Sequence, residues 1–122
     1  MSEDTKLLRS CCEDESYLEE IQNSLPKEEE LPSITCVFKA LSDPIRVKIL
    51  YALLNYEICV GEMVRVLDLP QSHVSHQLKI LREKNIVTFR KHKKMSFYRI
   101  CNKDIKSLLE TVLKSSADKG QK

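Results

Sequence analysis

Apolar residues recur every three or four positions along most of this chain, and the period changes to two in one place. "DESYLEEIQNSL" sets Tyr17, Leu18, Ile21 and Leu25 at helical spacing, which predicts a short amphipathic helix ended by Pro26 and "KEEE". Pro32 and Ser33 open a second helix with Ile34, Val37, Phe38 and Leu41 on one face. Asp43 as N-cap and Pro44 at the first helical position start a third, ending near Asn55, with Ile45, Ile49, Leu50, Leu53 and Leu54 inward. A fourth begins around Val60 and carries Met63, Val64, Val66 and Leu67. "DLP" then makes a tight turn, and a fifth helix starts near Gln71 or Ser72 with Val74, Leu78 and Leu81 inward.

The outward face of that fifth helix is polar from its first turn: Gln71, Ser72, His73, Ser75, His76, Gln77 and Lys79. Two short helices joined by a tight turn, the second polar at its N-terminus, read as a helix-turn-helix. Such a nose reaches base edges and phosphates in the major groove of duplex DNA. His73 and His76, at i and i+3, also suit a metal ion, but their place on this helix favours contact with DNA. The period of two appears in "IVTFRKHKKMSFYRI", rich in β-branched and aromatic residues, which predicts a β-hairpin. Its tip gathers Arg90, Lys91, His92, Lys93 and Lys94, and a basic hairpin after a recognition helix serves phosphates as a wing. The tip has no glycine. A last helix, capped by Asn102 or Asp104, has Ile105, Leu108, Leu109, Val112 and Leu113 apolar, a face suited to dimerisation.

The order predicts a mainly α fold with a β-hairpin, a homodimeric winged helix-turn-helix. Residues 1–31 form an acidic arm with a short helix, 32–116 the DNA-binding and dimerisation domain, and 117–122 a tail. Charge sharpens this division. Of 122 residues, 20 are Lys or Arg and 18 Asp or Glu, for a net charge of +2. Residues 1–31 hold ten of the acids and three of the bases, a balance of −7, which leaves +9 on the remainder. A basic body behind an acidic arm fits double-stranded DNA as partner. No apolar run approaches the roughly eighteen residues of a membrane span, and "MSEDTKLLRS" lacks the apolar core of a secretory signal. A cytoplasmic protein with no membrane partner is expected.

Five cysteines, Cys11, Cys12, Cys36, Cys59 and Cys101, are an odd number in such a chain. They read as free thiols, metal ligands or redox groups rather than a disulfide framework. Cys36 falls within a helix, where a small buried hydrophobe is the simple account. Cys101 ends the second wing strand and reads as structural.

"FKALSDPIRVKILYALL", "EICVGEM" and "LPQSHVSHQLKILREKNIVTFRK" resemble the ArsR/SmtB family of metal-responsive repressors over about residues 33–114. "ALSDPIR" and "SHVSHQL" together are specific. The resemblance implies a homodimer on a palindromic operator, released when a metal ion binds. One family site lies on the last helix and uses carboxylates and histidines. The matching positions are Asn102, Asp104, Ser115 and Asp118, so that site is expected to be absent or degraded. A second centres on a "Cys-Val-Cys" pattern, which here reads Cys59-Val60-Gly61 and keeps one thiolate. The cadmium- and lead-responsive CadC-like members add arm cysteines. Here "CEDESYLEEIQNSL" runs on from Cys12 as their arm does, and their earlier arm cysteine falls at Leu8. Some arsenic-responsive members use a Cys-Cys pair in the arm with one cysteine near Cys59.

Three sulfurs, from Cys11, Cys12 and Cys59, suit thiophilic ions. As(III), Sb(III) and Pb(II) accept trigonal pyramidal geometry, whereas Cd(II) needs a further ligand. The expected protein is a metal(loid)-responsive transcriptional repressor, with the arm of one subunit meeting Cys59 of the other. Oxidation of the same thiols in a redox-sensing repressor is the alternative. A small thiol enzyme finds no Cys-x-x-Cys, Gly-rich phosphate loop or βαβ pattern here, so no enzymatic activity is expected.

Overall fold

The computed structural model describes residues 16–120, with side chains up to Ser116. Cys11 and Cys12 therefore lie outside the described residues. Two units are present, one ending at Ser33 and one beginning at Ile34. The first holds α1 (Ser16–Ser24), a nine-residue helix on which Leu18, Ile21 and the following Leu25 are exposed. After Pro26, the Lys27 N–H donates to the Glu30 carboxylate at 2.7 Å and closes a turn.

The helix α2 (Leu31–Ala40) contains the boundary between the units, and the second unit continues with α3 (Pro44–Ala52), α4 (Val60–Leu67), α5 (Gln71–Glu83) and α6 (Lys103–Gly120). Asp43 caps α3 as its residue type predicts, its Oδ2 accepting from the Arg46 N–H at 3.0 Å. The helix stops at Ala52, earlier than the apolar pattern suggests. The Leu53 N–H is shared between the carbonyls of Ile49 and Leu50, a tightening of the last turn. Leu53 and Leu54 still reach the core, which is why the pattern runs past the helix end.

The core takes Ala40 from α2, Ile49 and Leu50 from α3, Met63 from α4, Val74, Leu78 and Leu81 from α5, and Ile105 and Leu109 from α6. Each fully buried Leu, Ile or Met contributes about 1.5–3 kcal/mol of hydrophobic stabilisation. α5 ends in a Schellman motif. Asn85 takes φ 59°, its N–H bonds the Arg82 carbonyl, and the Ile86 N–H reaches back to Leu81. Ile86 and Val87 then enter the core and start the sheet.

β2 (Val87–His92) and β3 (Met95–Ile100) form the expected hairpin, in register from Val87↔Ile100 to His92↔Met95. A third strand joins them. β1 (Ile58–Cys59) pairs antiparallel with β3 through Ile58↔Tyr98 and Cys59↔Phe97, giving the order β1-β3-β2. Two residues are too few to show alternation, so this strand was not legible from pattern. Among the described residues the architecture is six helices and a three-stranded antiparallel sheet, and no helix is long and apolar enough to cross a membrane.

Leu81 belongs to α5 and is completely buried. Leu81→Ala should destabilise the fold by about 2–5 kcal/mol, read as a lower urea midpoint with an unchanged m-value.

Candidate nucleic-acid interface and thiol site

Residues 68–70 turn α4 into α5. Asp68 ends α4 in the left-handed region, φ 57° and ψ 51°, its N–H donating to the Val64 carbonyl. Aspartate accepts this conformation more readily than most residues. Pro70 follows with an extended ψ of 145°, and its carbonyl takes the N–H groups of His73 and Val74. Val74, Leu78 and Leu81 anchor α5 inward, each no more than 1% exposed. Gln71, Ser72, His73, Ser75, His76 and Lys79 are left exposed. No side chain caps the N-terminus of α5, which leaves the Gln71 and Ser72 N–H groups without a side-chain acceptor at an end that suits phosphate.

Gln77 departs from the polar face assigned to it. It is half-buried, and its Oε1 is shielded from solvent with no hydrogen-bond partner among the described residues. The reason is positional: residue 77 is three past Val74 and adjacent to Leu78, at the edge of the buried stripe.

The wing projects Arg90, Lys91, His92, Lys93 and Lys94, all exposed. Its turn is residues 93 and 94, between the paired His92 and Met95. Lys93 takes φ 59° without the glycine that would make this easy. The strain is of order 1–2 kcal/mol. The wing root is tied to α5 by stacking. The Arg82 guanidinium sits 5.1 Å from the centre of the Phe89 ring, and Phe89 lies 5.3 Å from Tyr98. Nearer the tip, His92 meets the edge of Phe97 at 6.4 Å. Arg82 was not among the sequence candidates, and its spacing of three from Lys79 was the available signal. Arg90 was, but the structure gives its Nε to Glu57, 2.9 Å from the carboxylate Oε1.

Cys59 ends β1 and is the N-cap of α4, with φ −91° and ψ 169°. Its N–H donates to Glu62 Oε1 at 3.0 Å, the reciprocal half of a capping box. The residue is 6% exposed. A Cβ built on Gly61 would lie 3.9 Å from Cys59 Sγ, ordinary van der Waals contact. A Cβ at position 61 therefore fits beside the thiol. Among the described residues no group of three His, Cys, Asp or Glu side chains converges. They supply one sulfur of the expected three, Cys59; Cys11 and Cys12 lie outside the described residues.

The other thiols are engaged locally. Lys84 Nζ donates to Cys36 Sγ at 3.2 Å, and Cys101 Sγ donates to the Asn85 carbonyl at 3.4 Å. Asn102 caps α6, its Oδ1 accepting from the N–H groups of Asp104 and Ile105. Along α2, α3 and α6, an apolar groove is lined by Phe38, Leu41, Tyr51, Leu108, Val112 and Leu113. Tyr51 turns its hydroxyl into the carbonyl of Leu109 at 2.7 Å, so the groove floor keeps its polar atom paired.

A helix pair at a tight turn, followed by a basic hairpin, defines a winged helix-turn-helix. The profile of the bacterial regulatory protein arsR family matches residues 43–88. The chain is 39% identical over 75 residues to a cadmium resistance transcriptional regulatory protein CadC homolog from Staphylococcus aureus. That match covers 61% of this chain and 62% of the relative, under two thirds of its length. It is 35% identical over 82 residues to CadC from Listeria innocua, covering 66% and 69%. Among solved structures, HlyU from Vibrio cholerae superposes with a TM-score of 0.66 at 31% identity, over 70% of this chain and 94% of that one. This chain belongs to the ArsR family of transcriptional regulators.

Proposed function

We propose that the chain is a transcriptional repressor that binds operator DNA as a homodimer and leaves it when a thiophilic ion binds Cys11, Cys12 and Cys59. The observation that carries the reading is the placement of Cys59. The same residue ends the strand that holds the wing sheet and starts the helix beneath the recognition helix.

DNA contact falls to two groups of side chains. Gln71, Ser72, His73, Ser75 and His76 enter the major groove on the N-terminal turns of α5, and the half-buried Gln77 is left out of the contact set. Lys79, Arg90, Lys91, His92, Lys93 and Lys94 serve phosphates. The apolar groove of α2, α3 and α6 supports a second copy of the chain as partner: Phe38 is 62% exposed, and Val112 and Leu113 are 50% each. Residues 1–31 act as the arm that delivers two thiols, and residues 32–116 as the DNA-binding and dimerisation domain.

The relatives named CadC are cadmium resistance regulators. Thiol donors here select among As(III), Sb(III), Pb(II) and Cd(II). Cys11, Cys12 and Cys59 would hold such an ion through their thiolates, and a pull on Cys59 would bear on both the β1–β3 pairing and the α4 cap that this residue shares. A coupling of about 2–3 kcal/mol between ion and DNA lowers operator affinity roughly thirty- to one-hundred-and-fifty-fold.

Two measurements check this. Lys94→Ala should weaken binding to every duplex and lower the slope of log affinity against log salt by about 0.9, while Gln71→Ala changes sequence preference. A Lys94→Ala protein that loses only sequence preference contradicts the wing assignment. Operator-bound wild type is also titrated with each of the four ions and with peroxide. Cys59→Ser and the Cys11/Cys12 double serine variant should stay on DNA in every ion. Release of both variants by the same ion as wild type would sink the three-sulfur site, and release by peroxide alone would move the reading to a redox sensor.

A further inference from the structure

We propose that Glu57 sets the DNA affinity of the wing by holding Arg90 as an internal substitute for backbone phosphate. The inference rests on the DNA-binding reading above and deepens it. Glu57 Oε1 lies 2.9 Å from Arg90 Nε. Among the described residues, Arg90 is the wing base with a carboxylate at ion-pair distance. The remaining wing bases, Lys91, Lys93 and Lys94, are exposed.

The pair is held by the sheet. Glu57 immediately precedes β1, which is fixed to β3 through Ile58↔Tyr98 and Cys59↔Phe97. Arg90 is opposite Phe97 on the other side of β3. The ion pair thus bridges the two outer strands across the central one. Its carboxylate comes from the segment that leads into Cys59, and its guanidinium from the wing.

The chemistry is competitive. A carboxylate oxygen and a phosphate oxygen make the same charge-assisted hydrogen bond to a guanidinium N–H. Glu57 occupies the Arg90 Nε–H, and its charge offsets the pull of the remaining guanidinium N–H groups on a DNA phosphate. The side chains are 73% exposed for Arg90 and 34% for Glu57. Exposed pairs of this kind are weak and exchange readily. Glu57 therefore acts as a modest threshold on DNA binding. It is a positioning residue that touches no DNA itself.

The test uses the full-length, ion-free protein and a fluorescein-labelled mixed-sequence DNA duplex, because phosphate contacts carry no sequence information. Wild type, Glu57→Gln, Arg90→Ala and the double variant are compared by fluorescence anisotropy across salt, with urea melts as a fold check. Glu57→Gln should bind the duplex roughly two- to fivefold more tightly, in line with the weakness of exposed pairs. Arg90→Ala should bind more weakly, with the salt slope lower by about 0.9. On the Arg90→Ala background, Glu57→Gln should change nothing. An equal gain with and without Arg90 would show a general charge effect and overturn the proposal, as would no gain at all. The NMR signal of Arg90 Nε–H gives a separate readout. If Glu57→Gln shifts that signal but no duplex binds any variant, the DNA-binding reading fails and the phosphate substitute falls with it. If duplex binding follows the predicted cycle while no ion releases the protein, the three-sulfur site fails and Glu57 stands.

Discussion

One residue position joins the two halves of this structure. Cys59 pairs with Phe97 in the sheet and caps α4 at the same time. The strand it ends is two residues long, yet it fixes the outer edge of β3 and the start of the helix under α5. The thiol is nearly buried, the backbone N–H is taken by Glu62, and the preceding Glu57 reaches the wing. Displacement of Cys59 therefore cannot remain local. It disturbs a strand pairing, a helix cap and an ion pair together.

The reading surface depends on this joint. α5 is located by three buried side chains and by the left-handed turn at Asp68, and it leaves a polar nose with uncapped N–H groups. The wing hangs from the C-terminal end of the same helix through Arg82, Phe89 and Tyr98. Recognition helix and wing are thus one body with two ties, one at the Schellman turn and one at β1. β1 is the second of these ties, and Cys59 lies on it.

The helices were legible because their apolar stripes must face one core, and Asp43, Pro44 and Asn102 mark their ends with chemistry that reads locally. The hairpin was legible from its change of period. β1 was not, because a two-residue strand exists only through its partner. The same long-range origin hid the Glu57–Arg90 pair, 33 positions apart, and the stacking of Arg82 on Phe89. Gln77 was misplaced because a residue at the margin of a buried stripe is decided by its neighbours' packing. Cys59 was singled out from the sequence by its thiol chemistry, and its double place in strand and cap came from the fold. The partnership proposed for it with Cys11 and Cys12 rests on the chemistry of their side chains.

The central claim is that sulfur ligation and loss of DNA are one event. The direct measurement titrates Pb(II) into full-length protein bound to an operator selected from random-sequence DNA. Thiolate-to-lead charge-transfer absorption and DNA anisotropy are followed in the same sample. The account predicts that the two signals change together and saturate at one ion per protomer. Absorption that saturates while the DNA stays bound, or DNA released with no thiolate band, would contradict it.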